Sequence, residues 1–115
     1  MGQLTTHVLD TSAGIPAVGV RIELQSLDTA TEPPIVRITG TDGRCAALLA
    51  GADFRAGRYT LTFHTAAYFH TRGVALPEPP FFEQAVIRLG IADSSQHYHV
   101  PLLISPWSYS VYRGG

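Results

Sequence analysis

Three stretches of the chain alternate between apolar and polar positions. In PAVGVRIEL, Val18, Val20, Ile22 and Leu24 fall on one face, with Arg21 and Glu23 on the other. In GRYTLTFHT, Tyr59, Leu61 and Phe63 oppose Thr60, Thr62 and His64. In FFEQAVIRLGI, Ala85, Ile87, Leu89 and Ile91 oppose Gln84 and Arg88. A period of two, with branched and aromatic residues on one side, marks a strand with one buried face. QSLDTATEPP, TGTDGR and LGIADSSQ supply the turn residues between such strands. The pattern predicts about seven or eight short strands at the spacing of a β-sandwich. One segment departs from it: TAAYFHTRG predicts a short helix closed by Gly73. ALPEPPFF is too rich in proline for regular structure and predicts a loop.

The final segment, WSYSVYRG, carries a single charge. Edge strands are normally blunted by charge, proline or a bulge. If this strand lies at an edge, it is expected to pair with another subunit, which predicts a homo-oligomer. The chain has 115 residues, no internal repeat and no composition shift, so residues 1–115 read as a single domain. Its hydrophobic fraction of 45% and net charge of −1 exclude a disordered chain and leave no basic surface for nucleic acid or anionic membrane. Cys45 is the only cysteine, which excludes an intrachain disulfide and a cysteine-based zinc knuckle. No stretch approaches the roughly 20 apolar residues of a membrane span. MGQLTTHVLD has neither the basic nor the apolar region of a secretory signal, so the expected location is cytoplasmic, or periplasmic if a leader has been removed.

The chemistry concentrates in histidine and arginine. Residues two apart in a strand share a face, so His97 and His99 of HYHVPLL stand together, while Tyr98, Val100 and Leu102 face the other way. Pro101 follows on the histidine face and, lacking a backbone donor, is expected at an edge or strand end. In LTTHVLD, His7 shares a face with Thr5 and Leu9. Arg44 directly follows the turn TDG, where a loop can aim a side chain. His64 and His70 have no partner in sequence and read as ordinary surface or hydrogen-bonded histidines. Two imidazoles on one face repel when both are charged, a pairing that suits metal binding, tuned neutral imidazoles or proton transfer. The metal reading needs His7 as third ligand of a tris-histidine zinc site with an open fourth position. The metal-free reading uses one imidazole on water, a second on the substrate, and arginine on an anion.

The C-terminal HYHVPLLISPWSYSVYRGG resembles the 5-hydroxyisourate hydrolases, the transthyretin-like proteins of purine breakdown, which typically end in a Tyr-Arg-Gly-Ser tetrapeptide. LTTHVLDTSAGIPAVGVRIEL is similar to that family's opening, and TDGR, GRYTLTFHTAAYFHTRG and PEPPFFEQAVIRLGIADSSQHYHVPLL are similar to its middle segments. The resemblance spans essentially the whole chain. It implies an all-β, transthyretin-like sandwich of two four-stranded sheets with one short helix. It also implies a homotetramer, a dimer of dimers, whose active sites lie in a central channel. The implied reaction is hydrolysis of 5-hydroxyisourate to 2-oxo-4-hydroxy-4-carboxy-5-ureidoimidazoline, with no metal and no organic cofactor. The implied catalytic set is His7, Arg44, His97 and His99, and the implied substrate-binding wall is Tyr112, Arg113, Gly114 and Gly115. Tyr112 and Arg113 would shape the pocket, the arginine by its backbone alone or with its guanidinium. Gly115 stands where the family has serine, so the hydroxyl at that position is absent. The alternative is a small-molecule binding protein of the transthyretin kind, without catalysis. In that relative the histidines and the arginine are replaced, whereas this chain keeps them.

Overall fold

The computed structural model describes residues 2–29 and 32–114. In chain order the strands are β1 (Gln3–Asp10), β2 (Ile15–Pro16), β3 (Arg21–Ser26), β4 (Ile35–Ile38), β5 (Leu49–Ala50), β6 (Gly57–Phe63), β7 (Ala85–Ile91), β8 (His97–Ser105) and β9 (Ser108–Val111). A 3-10 turn spans Gly51–Asp53, and the helix α1 spans Thr65–Thr71. One sheet runs β2-β1-β8-β9, with the two-residue β5 pairing β1 beside that path; the other runs β4-β3-β6-β7. The expected sandwich of two four-stranded sheets and one short helix is the fold, with β5 as a small addition. QSLDTATEPP includes Ala30 and Thr31, which lie outside the described residues.

The alternation read in the sequence corresponds to burial. Ile22, Leu24, Tyr59, Leu61, Phe63, Ala85 and Ile91 are buried between the sheets. From the first sheet, Leu4, Val8, Tyr98, Val100, Leu102 and Ile104 meet them. Removing these side chains from water supplies most of the driving force for folding. Val18 corrects the sequence reading. It stays 49% exposed, because Ala17 takes the buried position and Gly19, at φ +83°, turns the chain before β3 begins. In α1, Thr65, Ala66, Tyr68 and Phe69 are buried, a spacing that places one helical face on the core. The helix ends where the Val74 amide donates to the Phe69 carbonyl around Gly73.

The first sheet contains one parallel pair. β1 and β8 run side by side from Gln3↔His97 through Thr5↔His99 and His7↔Pro101 to Asp10↔Ile104. Pro101 therefore sits inside a central strand, not at a sheet edge. The His99 carbonyl accepts from the Gly114 amide, so the backbone groups of His99, and of Pro101 two residues on, face β9. Proline has no amide to donate there. The β8–β9 ladder accordingly stops at Leu102↔Val111 and resumes only as the single bridge His99↔Gly114. β9 is an edge strand, as the oligomer expectation required.

The far end of β1 is anchored by a buried carboxylate. Asp10 is 1% exposed and accepts from the Ser12 and Ala13 amides, the Ser12 hydroxyl and, at 2.8 Å, the Tyr68 hydroxyl of α1. Arg72 lies 3.8 Å away. Burial opposes ionisation of Asp10, but these hydrogen bonds outweigh it and hold the carboxyl below its ordinary value. Burial and the Asp10 hydrogen bond push the Tyr68 hydroxyl up to about 12. Because Asp10 titrates lower folded than unfolded, where its value is about 3.9, its stabilisation is complete above that pH. It is lost as the pH falls through the folded value. Asp10→Ala is expected to lower the unfolding free energy by roughly 3 kcal/mol, and Tyr68→Phe by about 1 kcal/mol, in urea titrations at pH 7. An unchanged midpoint for Asp10→Ala would show that the network does not hold α1 to β1.

Candidate active site

The face of β1 and β8 that points away from the core carries Gln3, Thr5, His7, His97 and His99. The parallel register sets Thr5 opposite His99 and Gln3 opposite His97. The Thr5 hydroxyl lies 2.8 Å from His99 Nδ1 and 2.9 Å from His97 Nε2. It therefore bridges the two imidazoles. The sequence reading placed Thr5 on this face without assigning it a role, and the structure sets it between the two imidazoles of the cavity. Strand alternation locates its side chain, but the contact depends on which strand lies next to β1.

Arg44 reaches the site because the TDGR turn lies along β1. The Val8 amide donates to the Gly43 carbonyl, and His7 and Arg44 form an antiparallel bridge. Gly43 is at φ +77°, and a Cβ there would lie 2.4 Å from the Val8 carbonyl oxygen, so only glycine permits this approach. The Asp42 carboxylate accepts from the Arg44 amide at 3.0 Å and closes the turn. His7 Nε2 lies 2.9 Å from the Asp42 carbonyl. A carbonyl only accepts, so that nitrogen carries the proton and Nδ1 is the position His7 has left for other chemistry.

A cavity of about 400 Å³ is lined by Gln3, Thr5, Thr6, Arg44, Cys45, His97 and His99. It brings Arg44, His97 and His99 together, with His7 along the neighbouring stretch of β1. Burial, then the charges of Arg44, His7 and His97, push the His99 imidazole below its ordinary value and favour its neutral form at neutral pH. Among the described residues, no group of three or more His, Cys, Asp and Glu side chains is arranged to hold a metal ion.

The terminal segment divides between two faces. Gly114 packs on His99; a Cβ there would come within 2.9 Å of His99 Cδ2 and 3.3 Å of Pro101 Cγ. Tyr112, 57% exposed, lies opposite Pro101 in the continued register. The Arg113 side chain turns the other way. Its guanidinium stacks 4.1 Å over the Tyr98 ring and donates to Gln96 Oε1 at 3.0 Å. Only the Arg113 backbone is left for the histidine face. Gly115 lies outside the described residues. His64 is paired with Glu23, which agrees with its reading as an ordinary hydrogen-bonded histidine.

Residues 4–114 match the model of the HIUase/Transthyretin family. The chain belongs to this family. A 5-hydroxyisourate hydrolase of Pseudomonas aeruginosa is 53% identical over 99% of this chain and 92% of its own length. The structure of Klebsiella pneumoniae 5-hydroxyisourate hydrolase superposes with a TM-score of 0.82 at 36% identity, covering all of both chains. Sea bream transthyretin in complex with thyroxine superposes with a TM-score of 0.84 at 29% identity, over 97% of this chain and 94% of that one. The structures this chain resembles thus include both a 5-hydroxyisourate hydrolase and a transthyretin in complex with thyroxine.

The surroundings of His99 yield an expected titration. By NMR, its imidazole should titrate below the ordinary value of about 6.5. Arg44→Gln removes a neighbouring positive charge and should raise the midpoint. A midpoint that stays fixed in Arg44→Gln would mean that the guanidinium does not act on His99.

Proposed function

We infer that this chain hydrolyses 5-hydroxyisourate, opening the six-membered ring at its amide-type C–N bond. Family membership and the hydrolases named above support the reaction. The observation that carries the site is one cavity in which His99, held toward its neutral form, lies beside the Arg44 guanidinium. Hydrolysis needs an activated water, a donor for the developing oxyanion and a proton for the leaving nitrogen. His99 Nε2 has no partner among the described residues, and a neutral imidazole there suits proton abstraction from water. Arg44 presents a fork of donors matched to a urate-like anion or to the oxyanion. His7, with Nδ1 open, moves a proton at the same substrate, and His97 assists His99. Gly114 and Tyr112 shape the wall, and Arg113 contributes backbone. The reading requires no metal and no organic cofactor.

Two measurements test it. With freshly generated 5-hydroxyisourate, the protein should accelerate the ultraviolet decay over the spontaneous rate, equally with and without chelator. His99→Ala and Arg44→Ala should each lower kcat/KM by about 10²-fold or more. Full activity in either folded variant would remove that residue from the mechanism, and activity lost on chelation and restored by zinc would return the zinc reading. We also propose a homotetramer, supported by the uncharged, exposed edge strand β9. Light scattering should give four times the 12.4 kDa chain mass, and a monomer at micromolar concentration would overturn the proposal.

A further inference from the structure

We propose that Thr5 is a positioning residue of this site: its hydroxyl sets the tautomer of His99 and links His99 to His97 as a proton relay. The proposal rests on the reading of the chain as a hydrolase. Its starting point is the pair of contacts at 2.8 Å to His99 Nδ1 and 2.9 Å to His97 Nε2. A hydroxyl has one proton to donate and lone pairs to accept with. When both imidazoles are neutral, Thr5 can donate to only one of them, and the other ring must donate to Thr5. The tautomers of the two histidines are therefore not independent.

Two arrangements satisfy both contacts. In the first, His99 Nδ1–H donates to Thr5 and the Thr5 hydroxyl donates to His97 Nε2, so His99 offers an unprotonated Nε2 to the cavity. In the second, His97 Nε2–H donates to Thr5 and Thr5 donates to His99 Nδ1, so His99 offers Nε2–H. The first is a base and the second an acid. Arg44 lines the same cavity, and its positive charge favours a lone pair facing it over an N–H. The resting site therefore takes the first arrangement.

The relay follows from proton balance. His99 Nε2 takes a proton from the attacking water, which makes His99 an imidazolium. Its Nδ1 proton passes to Thr5 Oγ1 as the Thr5 proton passes to His97 Nε2. Thr5 is unchanged, His97 now carries the positive charge, and His99 is neutral with Nε2–H ready for the leaving nitrogen. As the leaving nitrogen takes the Nε2 proton, the two transfers reverse with it: the Thr5 proton returns to His99 Nδ1 and His97 Nε2 gives its proton back to Thr5. His99 thus never loses both ring protons, the starting state is restored, and no proton is gained or lost over the cycle. The charge developed on attack is thus shared by two rings rather than held on the one beside Arg44. Valine at position 5 keeps the shape of threonine but severs this path, whereas serine keeps the hydroxyl.

The test uses the full chain, with folding and assembly checked by circular dichroism and light scattering. Thr5→Val should lower kcat roughly 10–100-fold with KM changed by less than about threefold, and Thr5→Ser should recover most of the loss. Thr5→Ala serves if the valine variant does not fold. Combining Thr5→Val with His97→Ala should cost little more than the larger single loss, because both act along one path. Independently of turnover, ¹⁵N shifts of His99 at a pH where it is neutral should show protonated Nδ1 and bare Nε2 in the parent, and mixed tautomers in Thr5→Val. Thr5→Val retaining kcat, serine failing to rescue, or unchanged ¹⁵N shifts would each overturn the proposal. No turnover by the parent protein would instead sink the hydrolase reading, and the ¹⁵N result would still report on the Thr5 link.

Discussion

The parallel pairing of β1 with β8 is the constraint on which the rest of this molecule depends. It brings together segments from the two ends of the chain; Thr5 and His99 are 94 residues apart in sequence and in hydrogen-bond contact in space. One face of the pair buries Leu4, Val8, Tyr98, Val100 and Leu102, and that burial sets the register. A slip of one residue would send the histidines into the core and the leucines to solvent. The geometry of the site is thus enforced by the hydrophobic face behind it, at no separate energetic cost.

The loop and the terminus complete this frame from opposite sides by backbone contact. Gly43 lets the turn approach β1 closely enough for Arg44 to line the cavity, and Gly114 lets the terminal segment rest against His99. In both places a side chain would enter space that belongs to a histidine or to the backbone of β1. Pro101 has a related effect on β9. By withholding one amide it interrupts the ladder opposite Tyr112, so the terminal segment meets β8 at His99 as a single bridge rather than a continuous strand.

Electrostatics then sorts the titratable groups. His99 is surrounded by Arg44, His7 and His97 and partly withdrawn from water, a setting that disfavours imidazolium. Asp10, although more deeply buried, stays ionised because four donors and a nearby guanidinium face it. The first environment suits a base that must remain unprotonated until it acts. The second suits a fixed anion that ties α1 to the sheet. Burial alone distinguishes neither; the number and direction of donors does.

Local periodicity determined much of this protein. Alternation marked the strands around Ile22, Leu61 and Ile87, its interruption in the segment closed by Gly73 marked α1, and the period of two put His97 with His99 and His7 with Thr5. The motifs TTHVLD, TDGR and HYH identified the family and the candidate set. The tertiary structure alone decided which strands are neighbours. Periodicity encodes which way a side chain faces, not what lies across from it, so the bridging role of Thr5, the interior position of Pro101 and the turning of the Arg113 guanidinium onto Tyr98 were not legible. Val18 was misplaced for the same reason in miniature: Gly19 can leave extended geometry, and only the folded chain, with Ala17 buried and Val18 exposed, shows that it does. Contacts between residues far apart in sequence are set by closure of the whole sandwich, and no window of the chain contains that information.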